Sequence, residues 1–354
     1  MVARAEPTWS GGVTVEYALV GKTGLRVSRL ALGTAVLGLV PAEDRSDELI
    51  HAACDAGINL FDCANTYGNR SSLDRDGLPS AEKRKHAEEL LGRALRGRRD
   101  EVILCTKVSE PMGSGPNDGG LVVPGMGGKG GGLSRYHIMR EVERSLKRLQ
   151  TDHIDIYHLH HPDPDTSIEE TLGALTDLVT QGKVRYVGLS TFAGWQLTQT
   201  VLIAEHSGFT RPVLDQVPYS LVNRWPESEV VPAARELGLS LTCFSPLAGG
   251  ALAGADVMDR PYSGLRRWGL PFDYTPEQRQ AAAQVGELAK RWGHAPAHLA
   301  IQWVLSRSTV AAAIIGPETP DELTENIAAL DVQLEASQLE ELDSIGRLPP
   351  SFPL

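Results

Sequence analysis

The chain has 354 residues, 42% of them hydrophobic and 22% charged, the balance of a soluble globular protein with a large core. Its formal net charge of −11 argues against a surface built to attract phosphate backbones or anionic lipid, so neither nucleic acid nor a membrane is expected as a partner. The four cysteines, Cys54, Cys63, Cys105 and Cys243, form no CxxC pair, and the N-terminal MVARAEPTWSGG lacks the apolar stretch of a secretory signal, so reduced thiols in a cytoplasmic protein are expected.

Val15 to Leu30 reads as a small hairpin turning at Gly21-Lys22-Thr23-Gly24. A rhythm of short apolar runs follows, at Arg29–Ala35, Asn59–Ala64, Val102–Val108, Ile154–His160, Arg185–Ser190, Val213–Val217, Ser240–Phe244 and Val310–Ile315. Most are continuous rather than alternating, the pattern of parallel strands buried on both faces. Helical stretches separate them. Ser134 is placed to cap a helix whose apolar stripe is Ile138, Val142, Leu146 and Leu149. Ser167 with Glu170, Thr275 with Gln278 and Thr319 with Glu322 each fit a capping box, and Gly182 is a stop signal. Eight strands alternating with helices, without a linker, predict one (β/α)8 TIM barrel over a core of about 15–345, with a doubly wound open sheet as the alternative. Three long segments, Asn69–Ser80, Ser109–Leu133 and Gly249–Tyr274, each follow a strand, which in a barrel puts them on the catalytic face.

The strand ends deliver chemistry. The second run ends Phe61-Asp62-Cys63-Ala64-Asn65-Thr66-Tyr67-Gly68, the third Cys105-Thr106-Lys107, and the fourth His158-Leu159-His160-His161-Pro162-Asp163. Taken singly, Asp62 is more often a turn residue, Tyr67 a loop aromatic, Lys107 a solvated charge and His160 a structural histidine. Their arrival on one rim is what those separate readings do not predict. Together they suit carbonyl reduction, in which hydride delivery leaves negative charge on an oxygen that must be protonated. A phenol, with an ordinary pKa of about 10, is a weak acid at neutral pH. A nearby ammonium favours phenolate, and a carboxylate holds that ammonium charged and in place.

FDCANTYG, TK and DIYHLHHPD, in that order, resemble the active-site signatures of the aldo-keto reductase family, and the likeness continues through GKVRYVGLSTF, FSPLAGG and IIGPETPDELTENIAAL. The resemblance implies a barrel enzyme that moves a hydride between NADP(H) or NAD(H) and a small carbonyl or alcohol. Tyr67 would be its acid/base, Asp62 and Lys107 the tuning pair, and His160 the residue that orients the substrate oxygen. It further implies that Ser190 and Gln216 hold the nicotinamide carboxamide, with Thr191 standing where the family usually has Asn. Phe244 would stack on the nicotinamide, Ser245, Leu247 and Gly249 would cradle the pyrophosphate, Gly316 would lead to a helix start near the adenosine phosphate, and Glu325 and Asn326 would meet adenine. Glu318 and Glu322 depart from the basic or neutral residues that clamp a 2′-phosphate in much of the family. A carboxylate there would repel that phosphate and accept from a free ribose hydroxyl, so the choice between NAD and NADP stays open.

Tyr219, Trp225 and, in the late insertion, Tyr262 and Trp268 are candidate pocket aromatics for a cyclic substrate. The GxGxxG match at Gly125–Gly130 lacks the flanking strand and helix of a dinucleotide fingerprint and reads as part of a loop, Met112–Gly132, beside the active site. His158, His160 and His161 carry an HxH spacing, but no further ligand set follows, so no catalytic metal is expected. Oligomeric state and physiological substrate are not legible in the sequence.

Overall fold

All eight apolar runs become strands, and they close on one another. In the computed structural model, which describes residues 15–71, 74, 79–110, 112, 132–254 and 275–346, a hairpin of β1 (Tyr17–Leu19) and β2 (Arg26–Ser28) precedes the barrel. The barrel strands are β3 (Leu30–Gly33), β4 (Leu60–Asp62), β5 (Ile103–Val108), β6 (Ile154–Leu159), β7 (Val184–Ser190), β8 (Pro212–Pro218), β9 (Ser240–Phe244) and β10 (Val310–Ile315). They run in chain order around a closed parallel sheet, with β10 pairing β3. The TIM barrel is therefore the fold, and the open-sheet alternative falls because β10 has no free edge.

The continuous apolar runs are explained by two cores. Successive strand residues point to opposite sides. Leu60, Cys105, Ile156, Leu214 and Ile314 fill the barrel interior, together with Val20 and Val27 of the hairpin. Their neighbours Phe61, Leu104, Tyr157 and Leu241 pack outward against the helices. The hairpin plugs the end where the strands begin: Gly21 N donates to Ser240 Oγ at 2.7 Å, and the Arg29 guanidinium donates to the carbonyl of Ala311 at 2.9 Å. That leaves the other end, where the strands finish, as the open face.

The surrounding helices are α1 (Ser46–Asp55), α2 (Ala87–Ala94), α3 (Arg135–Leu149), α4 (Ile168–Thr180), α5 (Gly194–Ser207), α6 (Val230–Leu237), α7 (Pro276–Trp292), α8 (Pro296–Leu305), α9 (Pro320–Ala328) and α10 (Ala336–Asp343). Among the described residues no helix is long and apolar enough to cross a membrane. Ser134 caps α3 by accepting from the His137 amide, and the predicted stripe of that helix is buried. Thr275 and Gln278 form the reciprocal box at the start of α7. The other two boxes are half made. Ser167 and Thr319 each accept from the amide three residues on, but Glu170 turns to the Arg135 amide at 2.9 Å and Glu322 to the Glu318 amide at 2.9 Å. Each of these carboxylates is taken up by an amide other than that of its own cap residue.

Candidate active site

Strand register sets the site. Asp62 pairs with Cys105, Lys107 with His158, Ser190 with Gln216 and Gln216 with Thr242. Asp62 lies two residues past the interior Leu60, Lys107 two past Cys105, and Gln216 two past Leu214, so all three share the inner face at its open end.

Lys107 is wholly buried, and its ammonium is filled with oxygen partners. Nζ donates to both Asp62 carboxylate oxygens at 2.7 Å, to the Cys63 carbonyl at 2.7 Å and to the Tyr67 hydroxyl at 3.3 Å. Gln216 Nε2 donates to Asp62 Oδ1 at 2.8 Å, a second side-chain donor to the carboxylate. Burial works against the ammonium, but the Asp62 carboxylate and the adjoining Tyr67 oxygen outweigh it and raise the Lys107 pKa, so this lysine stays cationic. Burial, which Lys107 and Arg70 offset only in part, leaves the Tyr67 phenol raised to about 12. The ammonium thus acts in the direction its chemistry predicts, against a larger opposing effect of solvent exclusion.

The loop carrying Tyr67 is fixed by packing. Gly68 has φ +90°, and a Cβ there would lie 2.7 Å from the Ala87 nitrogen and 2.8 Å from the Lys85 carbonyl, so only glycine fits the turn into α2. The buried Arg84 donates to the Gly68 carbonyl at 2.8 Å, and His86 Nδ1 is 3.1 Å from the Asn65 carbonyl.

His160 follows β6 and reaches the same rim, its ring edge-on to Tyr67 with centroids 5.8 Å apart. Burial, reinforced by His161 and Lys107, lowers its pKa to about 3 despite the opposing carboxylate of Glu110, so the ring is neutral at physiological pH. Glu110, which sequence reasoning missed, lies against it: His160 Nδ1 is 3.0 Å from Glu110 Oε2, and His161 Nε2 is 3.8 Å from Oε1. Thr66 and Arg70 also donate to this buried carboxylate. The available signal was an acid three residues past Lys107 on the same strand exit. Glu110, His160 and His161 are metal-ligating residue types with donor atoms within 4.8 Å of one another. The two rings, however, stack with an interplanar angle of 8° and centroids 4.5 Å apart. In-plane lone pairs of stacked parallel rings do not converge on one ion, and Arg70 already occupies the carboxylate. His158 is buried inside the barrel, where burial, Lys107 and His160 hold it well below the ordinary histidine range.

Ser190 is buried at the end of β7. Thr191 adopts φ +58° and is committed to the histidine pair: its hydroxyl donates to the His160 carbonyl at 3.2 Å and faces His161 Nδ1 at 2.9 Å. Phe244 is half-buried at the end of β9. Ser245, Ala248, Gly249 and Gly250 all have positive φ, at 54°, 50°, 67° and 96°. The last three are consecutive, and the amides of Ala248 and Gly250 donate to the carbonyls of Ser245 and Leu247, so this tight turn holds the segment in which Ser245, Leu247 and Gly249 are expected to cradle the pyrophosphate. Gly316 is exposed with open space around the position of a Cβ, and Thr319 starts α9 just beyond it. Glu318 and Glu322 are half-buried there, Glu325 is exposed one turn on, and Asn326 donates to the Glu322 carbonyl at 2.7 Å. These groups gather at the ends of β9 and β10 and the start of α9.

The pocket aromatics separate. Tyr219 is 1% exposed, tilts against Trp303 at 5.2 Å and donates to Glu227 at 2.7 Å, so it belongs to the packing beneath the rim and not to a pocket wall. Trp225 is half-buried against the main core. Tyr262, Trp268, the GxGxxG match and most of the Met112–Gly132 loop lie outside the described residues.

The family model for the aldo/keto reductase family matches residues 29–347. The chain is 40% identical over 346 residues to the uncharacterized oxidoreductase YrpG of Bacillus subtilis (strain 168), covering 96% of this chain and 99% of that protein. It is 32% identical over 333 residues to a probable voltage-gated potassium channel subunit beta of Oryza sativa subsp. japonica (90% and 92% covered). It is 30% identical over 357 residues to the L-glyceraldehyde 3-phosphate reductase of Escherichia coli (strain K12) (97% and 95% covered). With a barrel, a rim and relatives of this kind, the chain belongs to the aldo/keto reductase family and is an oxidoreductase.

Proposed function

We propose that this enzyme interconverts a small carbonyl compound (an aldehyde, ketone or sugar) and its alcohol with a nicotinamide cofactor, Tyr67 acting as the acid/base. The observation that carries this reading is the Lys107 ammonium held 2.7 Å from Asp62 and 3.3 Å from the Tyr67 hydroxyl in a buried site. The bound cofactor supplies or takes the hydride. Tyr67, protonated at neutral pH, donates to the oxygen as charge builds there, and Lys107 stabilises the phenolate left behind. His160 meets the same oxygen and orients it. Ser190 and the Gln216 amide oxygen, whose nitrogen is engaged by Asp62, take the carboxamide, and Phe244 covers the ring.

Glu318 and Glu322 support NAD(H) as a cofactor at least as good as NADP(H), since a 2′-phosphate would meet two carboxylates. A preference for NADPH over NADH of a hundredfold or more in kcat/KM would overturn that part. The likeness to plant channel subunits raises a regulatory role as a second reading, against which the complete set of Asp62, Tyr67, Lys107 and His160 speaks. The deciding experiment is Tyr67→Phe assayed across a panel of aldehydes, ketones and sugars. Reduction should fall by about 10²- to 10⁴-fold while dinucleotide affinity stays within a few-fold of the parent. Retained turnover would refute the assignment.

A further inference from the structure

The first turn of α2 meets the loop that carries Tyr67 and the strand that carries Lys107. The Ala87 amide donates to the Tyr67 carbonyl at 2.9 Å. The next residue, Glu88, has both carboxylate oxygens engaged: Thr106 Oγ1 of β5 donates to one at 2.6 Å, and Arg148 Nε of α3 donates to the other at 2.6 Å. Glu88 and Thr106 are wholly buried and Arg148 is half-buried. Helix α3 comes this close because Gly92, one turn along the same face of α2, has no side chain. A Cβ there would lie 2.5 Å from the Leu149 carbonyl oxygen. Thr106 stands between Cys105 and Lys107, which share the inner face, so its side chain points out of the barrel. Glu88 therefore grips β5 from behind the strand, one residue from Lys107.

The contact this bears on is the longest at the site. Lys107 Nζ meets the Asp62 oxygens and the Cys63 carbonyl at 2.7 Å but the Tyr67 hydroxyl at 3.3 Å, beyond the usual hydrogen-bond range. Asp62 and Cys63 are fixed to β5 by the sheet itself, through the pairing of Asp62 with Cys105 and the Cys63 amide bond to the Cys105 carbonyl at 2.9 Å. The Asn65 amide extends that ladder to the Lys107 carbonyl at 3.3 Å. Tyr67 lies past it, and α2 is what holds its backbone. A small drift of α2 away from β5 would break the phenol contact and leave the Lys107–Asp62 pair in place.

We propose that Glu88 is a positioning residue: by tying the first turn of α2 to Thr106, it sets the distance between the phenol that α2 holds and the ammonium that β5 carries. This rests on the reading of Tyr67 and Lys107 given above. Thr106→Val removes the hydroxyl and keeps the shape, and Thr106→Ser keeps the hydroxyl. The two together isolate the tie without the orphaned guanidinium that Glu88→Ala would leave.

The test is single-turnover reduction of para-nitrobenzaldehyde with NADH by the full-length protein. Thr106→Val should be slower by about tenfold, Thr106→Ser should recover most of the rate, and NADH affinity should stay within a few-fold of the parent. The deciding comparison places Thr106→Val on Lys107→Met. With the ammonium gone there is no distance left to set, so the double variant should be no slower than Lys107→Met alone, whereas a general loosening of the fold would multiply the two losses. A further tenfold fall in the double variant overturns the proposal, and so does a parental rate in a folded Thr106→Val. Crystal structures of the parent and Thr106→Val supply a readout independent of turnover. The distance from Lys107 Nζ to the Tyr67 hydroxyl should lengthen beyond about 3.5 Å in the variant, and an unchanged distance overturns the proposal. A parental rate in Lys107→Met would count against the function assigned above, while the crystallographic distance would still decide the role of Glu88.

Discussion

Replacing Lys107 by Met separates what this residue does for the fold from what it does for the chemistry. The ammonium sits 3.3 Å from the Tyr67 hydroxyl. At that range, with an effective dielectric of about 20, a full charge interacts with phenolate by about 5 kcal/mol. Asp62, which opposes phenolate, offsets part of this, so the net loss on removing Lys107 corresponds to roughly two pKa units, each worth about 1.4 kcal/mol. Tyr67 is already raised to about 12 by burial, and the substitution drives it further from the pH at which the enzyme works. Reduction should therefore fall by at least about 10²-fold in kcat.

The fold responds differently. Lys107→Met leaves the Asp62 carboxylate buried with Gln216 as its one remaining donor among the contacts described here, and breaking a buried pair from one side costs about 3–5 kcal/mol. Adding Asp62→Asn removes the orphaned charge while keeping an amide oxygen for Gln216, so most of that stability should return. Urea unfolding and single-turnover reduction, measured on the parent, the single variant and the double variant, check both halves. A single variant within tenfold of the parent in kcat would refute the electrostatic role, and a double variant no more stable than the single would refute the buried-pair reasoning.

Three other outcomes follow from the same geometry. Glu318→Gln combined with Glu322→Gln keeps the shapes and removes both charges, so kcat/KM with NADPH relative to NADH should rise about tenfold, equivalent to about 1.4 kcal/mol; an unmoved ratio would confine Glu322 to its bond with the Glu318 amide. Gly188→Ala should cost about 1–3 kcal/mol, read as a lowered Tm, because the new Cβ would lie 2.5 Å from Cδ2 of His158, which is walled in by the barrel. Acid should destabilise the fold: His158 and His160 both titrate below the unfolded value of about 6.5, so as pH falls the unfolded chain takes up protons that the folded chain refuses. Each contributes up to about 1.4 kcal/mol per pH unit below that value, and for His160 the loss continues to about pH 3. Urea midpoints at pH 6 and pH 5 measure it, and His160→Asn should flatten the slope.

The eight strands were legible because burial on both faces leaves a continuous apolar run, and the rim was legible because the second, third and fourth runs lead into reactive side chains. What was not legible depended on partners distant in the chain. Tyr219 looks like a pocket aromatic until Trp303 of α8 is seen packed against it. Glu170 and Glu322 have the spacing of capping boxes, but another amide takes the carboxylate in each case. The direction in which Tyr67 moves was likewise hidden, since the ammonium that lowers its pKa is visible in the sequence and the solvent exclusion that raises it is a property of the closed site.

That competition gives the site its logic. Tyr67 sits between two cations, Lys107 inside the barrel at 4.8 Å from its ring centroid and Arg70 on the rim at 5.5 Å. Each is tied to its own acid, Lys107 to Asp62 and Arg70 to Glu110, so neither is free to swing away when substrate arrives. The inner pair works on the phenol. The outer pair lies beside His160 and also acts on the phenol, whose pKa Arg70 lowers and Glu110 raises. Both ion pairs therefore bear on the phenol, the inner one through the nearer cation. A substitution that disturbs one pair should leave the other intact. Lys107→Met should therefore raise the phenol's pKa, and Glu110→Ala, which removes an opposing carboxylate, should lower it. Shifts of the same sign in the two variants, read from the pH dependence of reduction, would refute this assignment.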